Sequence, residues 1–437
     1  MKRNLLSKWG SVAVSVALAG LLAGCGAPAE TTASAAESSS VTVAEQTTEN
    51  TAAESTSATA ESETEAYVVE AGLFADEKMF TGRDLEQTAD TSSATQLTLA
   101  SGEDLTISEE GVYVVSGSAT DASIIVDADD VAKVQIVLDG VSISNETAPA
   151  IYVKSADKVF VTLQGDNTLE TTGTFAADGD TNVDAVIFSK DDLVLNGTGS
   201  LTVKSTANAV TSKDDLKVTG GTYTVSCTGH AFEANDALAV YDGTFTIEAG
   251  KDGLHGSNDD DPALGYVYIC GGTFKVTAQS DAIHADSAVQ IDGGTLALVA
   301  PEGIEGTYVQ VNDGDIAISA SDDGINAPAK STAYTSTIEI TGGTLSIEMG
   351  SGDTDALDAN GNLTISGGTV DITAQSAFDF DGEGSLTGGT VTVNGEQVTE
   401  ITNSMMGGGM GGRGGMGGDM AGGMGGHGGM GGGRQMA

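Results

Sequence analysis

Along the middle of the chain, apolar residues fall in pairs two apart on both sides of a recurring glycine-threonine step. Before the step stand Leu216/Val218, Leu238/Val240, Val267/Ile269, Val289/Ile291, Val309/Val311, Ile338/Ile340 and Leu363/Ile365. After it stand Tyr223/Val225, Phe245/Ile247, Phe274/Val276, Leu296/Leu298, Ile316/Ile318, Leu345/Ile347, Val370/Ile372 and Val391/Val393. Alternation at period two predicts strands with one buried face. The step itself reads Gly220-Gly221-Thr222, Gly271-Gly272-Thr273 or Gly342-Gly343-Thr344, with Asp242-Gly243-Thr244 and Asp313-Gly314-Asp315 as variants. Glycine there turns the chain where a side chain would clash or φ must be positive.

A third apolar position closes each unit: Val210, Phe232, Leu254, Ile283, Ile304, Ile325, Leu357 and Phe378. The intervals run from about 20 to 30 residues, with 22 separating Gly221 from Gly243 and Gly272 from Gly294. Three short strands per turn, stacked in parallel, predict an all-β, single-stranded parallel β-helix. Leucine-rich repeats need a denser leucine pattern, propeller blades need about twice the period, and helical repeats need apolar spacing of three and four. Upstream, Val134/Ile136/Leu138, Ile151/Val153 and Val159/Val161/Leu163 predict wider N-terminal turns, and the Tyr67–Thr98 segment is expected to cap the open end.

The flanks read differently. Residues 1–24 form a secretory signal, with Lys2, Arg3 and Lys8 before an apolar run that is shorter than the ~20 residues of a membrane span. It ends Leu22-Ala23-Gly24-Cys25, which resembles the bacterial lipoprotein box; a plain secretory signal is the alternative. The resemblance implies lipidation of Cys25 and an extracellular protein held at the cell membrane by that anchor. Residues 25–65 are rich in Ala, Ser, Thr and Glu and predict a disordered linker, because so little apolar area cannot offset the entropy of ordering. The solenoid then spans residues 66–402, and 403–437 form a Gly/Met-rich, disordered tail. Methionines at that density can ligate soft copper, but a bland low-complexity tail is the simpler reading. Cys227 and Cys270 fall in different layers and are expected to be thiols.

Charge narrows the function. Lys+Arg number 17 against Asp+Glu 63, a net charge of −46, which excludes nucleic acid or anionic lipid as an electrostatic partner. Aromatic residues are only 5%, which argues against a helical core filled by large anchors. The acids are arranged in columns. Two residues before each third-strand apolar position stand Asn208, His230, Asp252, Asp281, Glu302, Asp323 and Asp355. One residue after it stand Thr211, Glu233, His255, His284, Glu305, Asn326, Asp358 and Asp379. Layers about 4.8 Å apart force such carboxylates to repel, to splay into solvent or to share a hard cation. Calcium suits oxygen ligands drawn from adjacent turns. The candidate calcium ligands are Asp252, Asp259, Asp260, Asp281, Glu302, Glu305, Asp323, Asp355 and Asp358; a merely solubilising acidic face is the alternative. His255 and His284, one turn apart, can bind zinc, though the oxygen-rich setting favours sugar or calcium contacts.

Ser189-Lys190-Asp191-Asp192-Leu193 recurs as Ser212-Lys213-Asp214-Asp215-Leu216. With Ile125-Val126-Asp127-Ala128, Tyr152-Val153-Lys154-Ser155-Ala156-Asp157-Lys158-Val159 and Lys251-Asp252-Gly253-Leu254-His255-Gly256, these strings resemble the carbohydrate-binding β-helix family first described from a cellulolytic clostridium. The resemblance covers about residues 78–402. It implies a right-handed helix, bound Ca2+ and affinity for plant cell-wall polysaccharides, including cellulose and acidic pectin. His255, His284, Asn326, Tyr266, Tyr268 and Lys251 are the candidate sugar contacts, with the two tyrosines equally readable as packing. A lyase needs an Arg or Lys base; Lys251 and Lys330 flank the column, and either can instead be a salt-bridged structural lysine. A monomeric, non-catalytic binder is the expectation, with a calcium-dependent lyase or a structural adhesin or spacer as alternatives.

Overall fold

The computed structural model describes residues 73–352 and 354–403. The signal, Cys25, the linker and the Met405–Ala437 tail lie outside these residues. Each unit of the described chain contributes one strand to each of three sheets. In one turn, Leu216–Val218 belongs to the first sheet, Thr222–Cys227 to the second and Phe232–Ala234 to the third. Each pairs in parallel with its counterpart in the next turn: Leu216 with Leu238, Tyr223 with Phe245, and Phe232 with Leu254. The third-sheet apolar column is continuous from Val210 through Leu254, Ile283, Ile304, Ile325 and Leu357 to Phe378.

The second sheet shows why these residues make strands. In Thr273–Ala278, buried and exposed residues alternate: Phe274, Val276 and Ala278 point in, while Thr273, Lys275 and Thr277 point out. β-Branched and aromatic side chains fit such a half-buried pleat. Within the core Tyr223, Phe245 and Phe274 stack face to face, at centroid spacings of 5.1 and 4.5 Å and interplanar angles of 12° and 4°. The glycines are needed for space as well as for dihedrals. Gly368 has φ +77°, and a Cβ there would lie 2.6 Å from the Gly342 carbonyl one turn earlier.

The N-terminal turns are wider, as the spacing predicts: Val134 pairs with Val159, and Val159 with Leu193. At the other end Thr390–Val393 pairs antiparallel with Glu396–Val398, which ends the parallel template. No disulfide joins the cysteines; Cys227 is buried and Cys270 half-buried.

The expected N-terminal cap is a strap instead. Residues 74–87 run along the outer face of the first sheet, crossing rungs from Gln290 to Phe160. Phe74 exchanges backbone hydrogen bonds with the Gln290 amide at 2.9 and 3.1 Å and stacks on Tyr266 at 4.4 Å. Phe80 meets Tyr241 edge-on at 5.4 Å. Gly197 N–H donates to Gln87 Oε1 at 2.9 Å, and the Arg83 guanidinium sits 4.4 Å above the Phe160 ring. The strap explains why first-sheet strands such as Ala237–Val240 are buried on both faces.

Candidate functional site

The acids gather where the second sheet turns into the third. A small residue precedes each inward apolar position there: Ala231, Gly253, Ala282, Gly303, Gly324 or Ala356. At Gly253 a Cβ would approach the Ala282 carbonyl to 2.6 Å, so the corner has no room for more. Across this gap the two predicted columns meet at one outer edge. Asp281 pairs in register with Glu302, and Asp323 with Asp355. Beside them runs Glu233–His255–His284–Glu305–Asn326–Asp358–Asp379.

The edge divides into two halves of different chemistry. In the first, histidines interleave with acids. Asp252 Oδ2 lies 2.7 Å from His255 Nδ1 and 3.1 Å from His230 Nδ1, while its Oδ1 accepts the Asp281 N–H at 3.0 Å. Burial opposes the Asp252 charge, but the two imidazoles and that amide hold its carboxyl far below the usual range. His255 is pushed down, first by burial and despite its bond to Asp252. His284 goes the other way. Burial would lower it, but Nδ1 meets Asp281 at 2.8 Å and Glu305 at 3.3 Å, Nε2 meets Asp286 at 3.3 Å, and together they push it up to about 11.

Asp281, Glu302 and Glu305 each offer an oxygen within 4.8 Å of the others. Glu305 also pairs with the Lys330 ammonium. Glu302 accepts only Asn326 Nδ2, at 3.1 Å, and burial followed by repulsion from Glu305 raises its pKa. Beyond this point the charged residues of the edge are all acids. Among the described residues no ion pair to a basic side chain reaches Asp323, Asp355, Asp358 or Asp379. Burial and mutual repulsion push Asp323 up to about 6 and Asp358 up to about 7.

Two insertions flank the column. Segments around residues 258–262 and 330–332 enclose an open cleft of about 470 Å³, lined by Asn258, Asp259, Pro262, Asp286, Lys330 and Ser331. Asp286 accepts from Ser257 Oγ at 2.7 Å and so ties the first insertion to the column. Nothing in the local pattern marks Asp286, which sits at an irregularity between Ala285 and Ala288. His230 does have a signal, its place in the column.

Two sets of expected contacts need correction. Asp259 and Asp260 are exposed on the insertion and do not join the converging acids; the Asp260 amide is turned onto Asn258 Oδ1. Tyr266 and Tyr268 lie against the strap: Phe74 stacks on the half-buried Tyr266, while Tyr268 is 1% exposed and donates to Asp292 Oδ2 at 2.9 Å. Lys251 is exposed at the rim, its Nζ 3.4 Å from His230 Nε2, and Asn326 sits within the column.

Comparison with known proteins places the chain among relatives. A protein of Acetivibrio thermocellus described as a carbohydrate-binding domain-containing protein is 41% identical over 191 residues, which is 43% of this chain and 67% of that relative. A solved structure, titled as the polysaccharide lyase-like protein from C. thermocellum in a gadolinium derivative, is 34% identical and superposes with a TM-score of 0.43 over 49% of this chain and 85% of its own. The family profile described as carbohydrate-binding domain-containing protein matches residues 101–354 and 300–406. The chain therefore belongs to the carbohydrate-binding domain-containing family.

Proposed function

We propose that this chain is a non-catalytic polysaccharide-binding protein that uses Ca2+ on the acidic edge to hold acidic plant cell-wall glycans such as polygalacturonate, with cellulose as a second polymer. The observation that carries the reading is the convergence of Asp281, Glu302 and Glu305 oxygens within 4.8 Å. Their fit to calcium rests on donor chemistry: all are oxygens, and Glu302 is a carboxyl whose charge its neighbours resist. His284 and Lys330 already offset part of the charge on Asp281 and Glu305. Asp323, Asp355 and Asp358 have no such relief and are the second place for a hard cation. Bound calcium would supply a positive centre that bridges protein carboxylates to uronate carboxylates. The chain's own part is to space the acids by rung, and to offer Asn326, His284 and the cleft hydroxyls to sugar.

A non-catalytic role is favoured because the Lys330 ammonium is paired with Glu305, which raises its pKa against the effect of burial, and Arg83 is part of the strap, over the Phe160 ring. The right hand of the solenoid follows from the strong preference of parallel crossovers. A lipid on Cys25 would hold the protein, as a monomer, outside the cell membrane.

The test is co-sedimentation with polygalacturonate and cellulose, in calcium and in EDTA, while monitoring absorbance of unsaturated products. Binding to polygalacturonate should weaken at least about tenfold in EDTA, and a Glu302→Gln/Glu305→Gln variant should lose most of the calcium response. Equal binding in both buffers removes calcium from the reading. No binding to either polymer removes the glycan, and rising absorbance makes the chain a lyase.

A further inference from the structure

We propose that His230, Asp252 and His255 form a separate binding site for a transition-metal dication of the zinc type, at the end of the edge where nitrogen replaces oxygen. The two imidazole rings stack at 4.0 Å, one rung apart, and both turn Nδ1 toward a single carboxylate oxygen, Asp252 Oδ2. The three donor atoms lie within 4.8 Å of one another. Such convergence brings two imidazole nitrogens and one carboxylate oxygen, a donor set that suits zinc, to one point.

His230 Nδ1 is enclosed, 3.1 Å from Asp252 Oδ2 and outside good hydrogen-bond geometry. A metal ion in place of a proton there would take both atoms as ligands. Zinc binds nitrogen at about 2.0–2.1 Å and carboxylate oxygen at about 2.0–2.2 Å, so neighbouring donors of a tetrahedron lie roughly 3.3–3.5 Å apart. The spacings here are 2.7 and 3.1 Å, so the first must open by roughly 0.6–0.8 Å and the second by roughly 0.2–0.4 Å.

The donor set also selects the metal. Imidazole suits zinc, nickel and copper, whereas calcium takes oxygen. Asp252 has committed Oδ1 to the Asp281 amide and leaves one oxygen for an ion, too few for calcium's six to eight. Asp252 is also positioned from behind: Gly253 allows the close corner, and Asp281 N–H fixes the carboxylate plane. This site stands whether or not the chain binds a polysaccharide.

The experiment loads the full chain with zinc chloride, removes excess by desalting in millimolar calcium, and counts the metal. About one zinc per chain is expected to survive the calcium wash. A His230→Gln/His255→Gln variant should bind it more than the ~10–100-fold weaker that follows loss of an outer partner alone, with calcium uptake unchanged. X-ray absorption on the zinc-loaded wild-type chain needs no variant and should show two imidazoles in the first shell. Zinc washed out by calcium, zinc kept equally by the variant, or a shell of oxygens or methionine sulfurs would each overturn the assignment.

Discussion

Replacing Phe245 with alanine should destabilise the solenoid by about 3–5 kcal/mol, the cost of deleting a buried phenyl ring and leaving its cavity. Phe245 is 2% exposed and lies between the Tyr223 and Phe274 rings, with Phe232 edge-on at 5.7 Å. The parallel ladder fixes the backbones of the neighbouring rungs, which limits collapse into the gap. Stability in a stacked repeat is a sum of units and their interfaces, so hydrogen exchange should loosen most in the rungs holding Tyr223, Phe245 and Phe274. Thr246→Ala, on the outward face of the same strand, should change stability by no more than about 0.5 kcal/mol. Equal losses for the two substitutions in urea denaturation would contradict the inside-outside assignment.

Asp84→Ala should cost about 3 kcal/mol and free the strap. The Asp84 side chain is fully buried; it accepts the Thr81 N–H at 2.8 Å and lies 3.6 Å from Lys158 Nζ, itself 11% exposed. Removing the carboxylate leaves a nearly buried ammonium with Asp192, at 3.2 Å, as its remaining partner. That residual pair keeps the cost at the low end for a broken buried ion pair. Amide exchange across residues 74–87 should accelerate, and the Tyr266 and Tyr268 rings should gain solvent exposure. Unchanged exchange there would mean that the aromatic contacts alone hold the strap.

The strap shows where sequence pattern stops being informative. Rungs are legible because inward positions must be apolar at period two and corners must be glycine, so the columns from Val210 to Phe378 and from Glu233 to Asp379 follow from counting. Residues 74–87 have no such period. Their partners on the solenoid lie far away in sequence, as for Asp84 with Lys158 and Gln87 with Gly197. Tyr266 therefore reads as an outward-facing aromatic until the chain that covers it is in place. The acids behave similarly. Their register is written in the spacing, but their chemistry depends on which bases reach them. Lys330 arrives on an insertion to neutralise Glu305, and Asp286 arrives at a strand irregularity to hold His284. Asp259 and Asp260 form a conspicuous acidic run, yet their loop carries them away from the column.

The measurement that bears most directly on the crowded acids is thermal unfolding between pH 4.5 and 7, in EDTA and in calcium. A carboxyl whose folded pKa is raised stabilises the fold fully below its unfolded pKa, and that contribution is lost as pH rises through the folded value. Asp214 and Asp323 at about 6 and Asp358 at about 7 place the loss between about pH 4 and 7. The acids held low, Asp252, Asp286 and Glu305, complete their gain below that window, and His284 loses its share only above pH 6.5. His255, held low, gains within it but is a single group. In EDTA the melting temperature should therefore fall as pH rises, and calcium at pH 7 should restore it. A flat profile in EDTA, with no response to calcium, would contradict the claim that these carboxylates converge closely enough to require a cation.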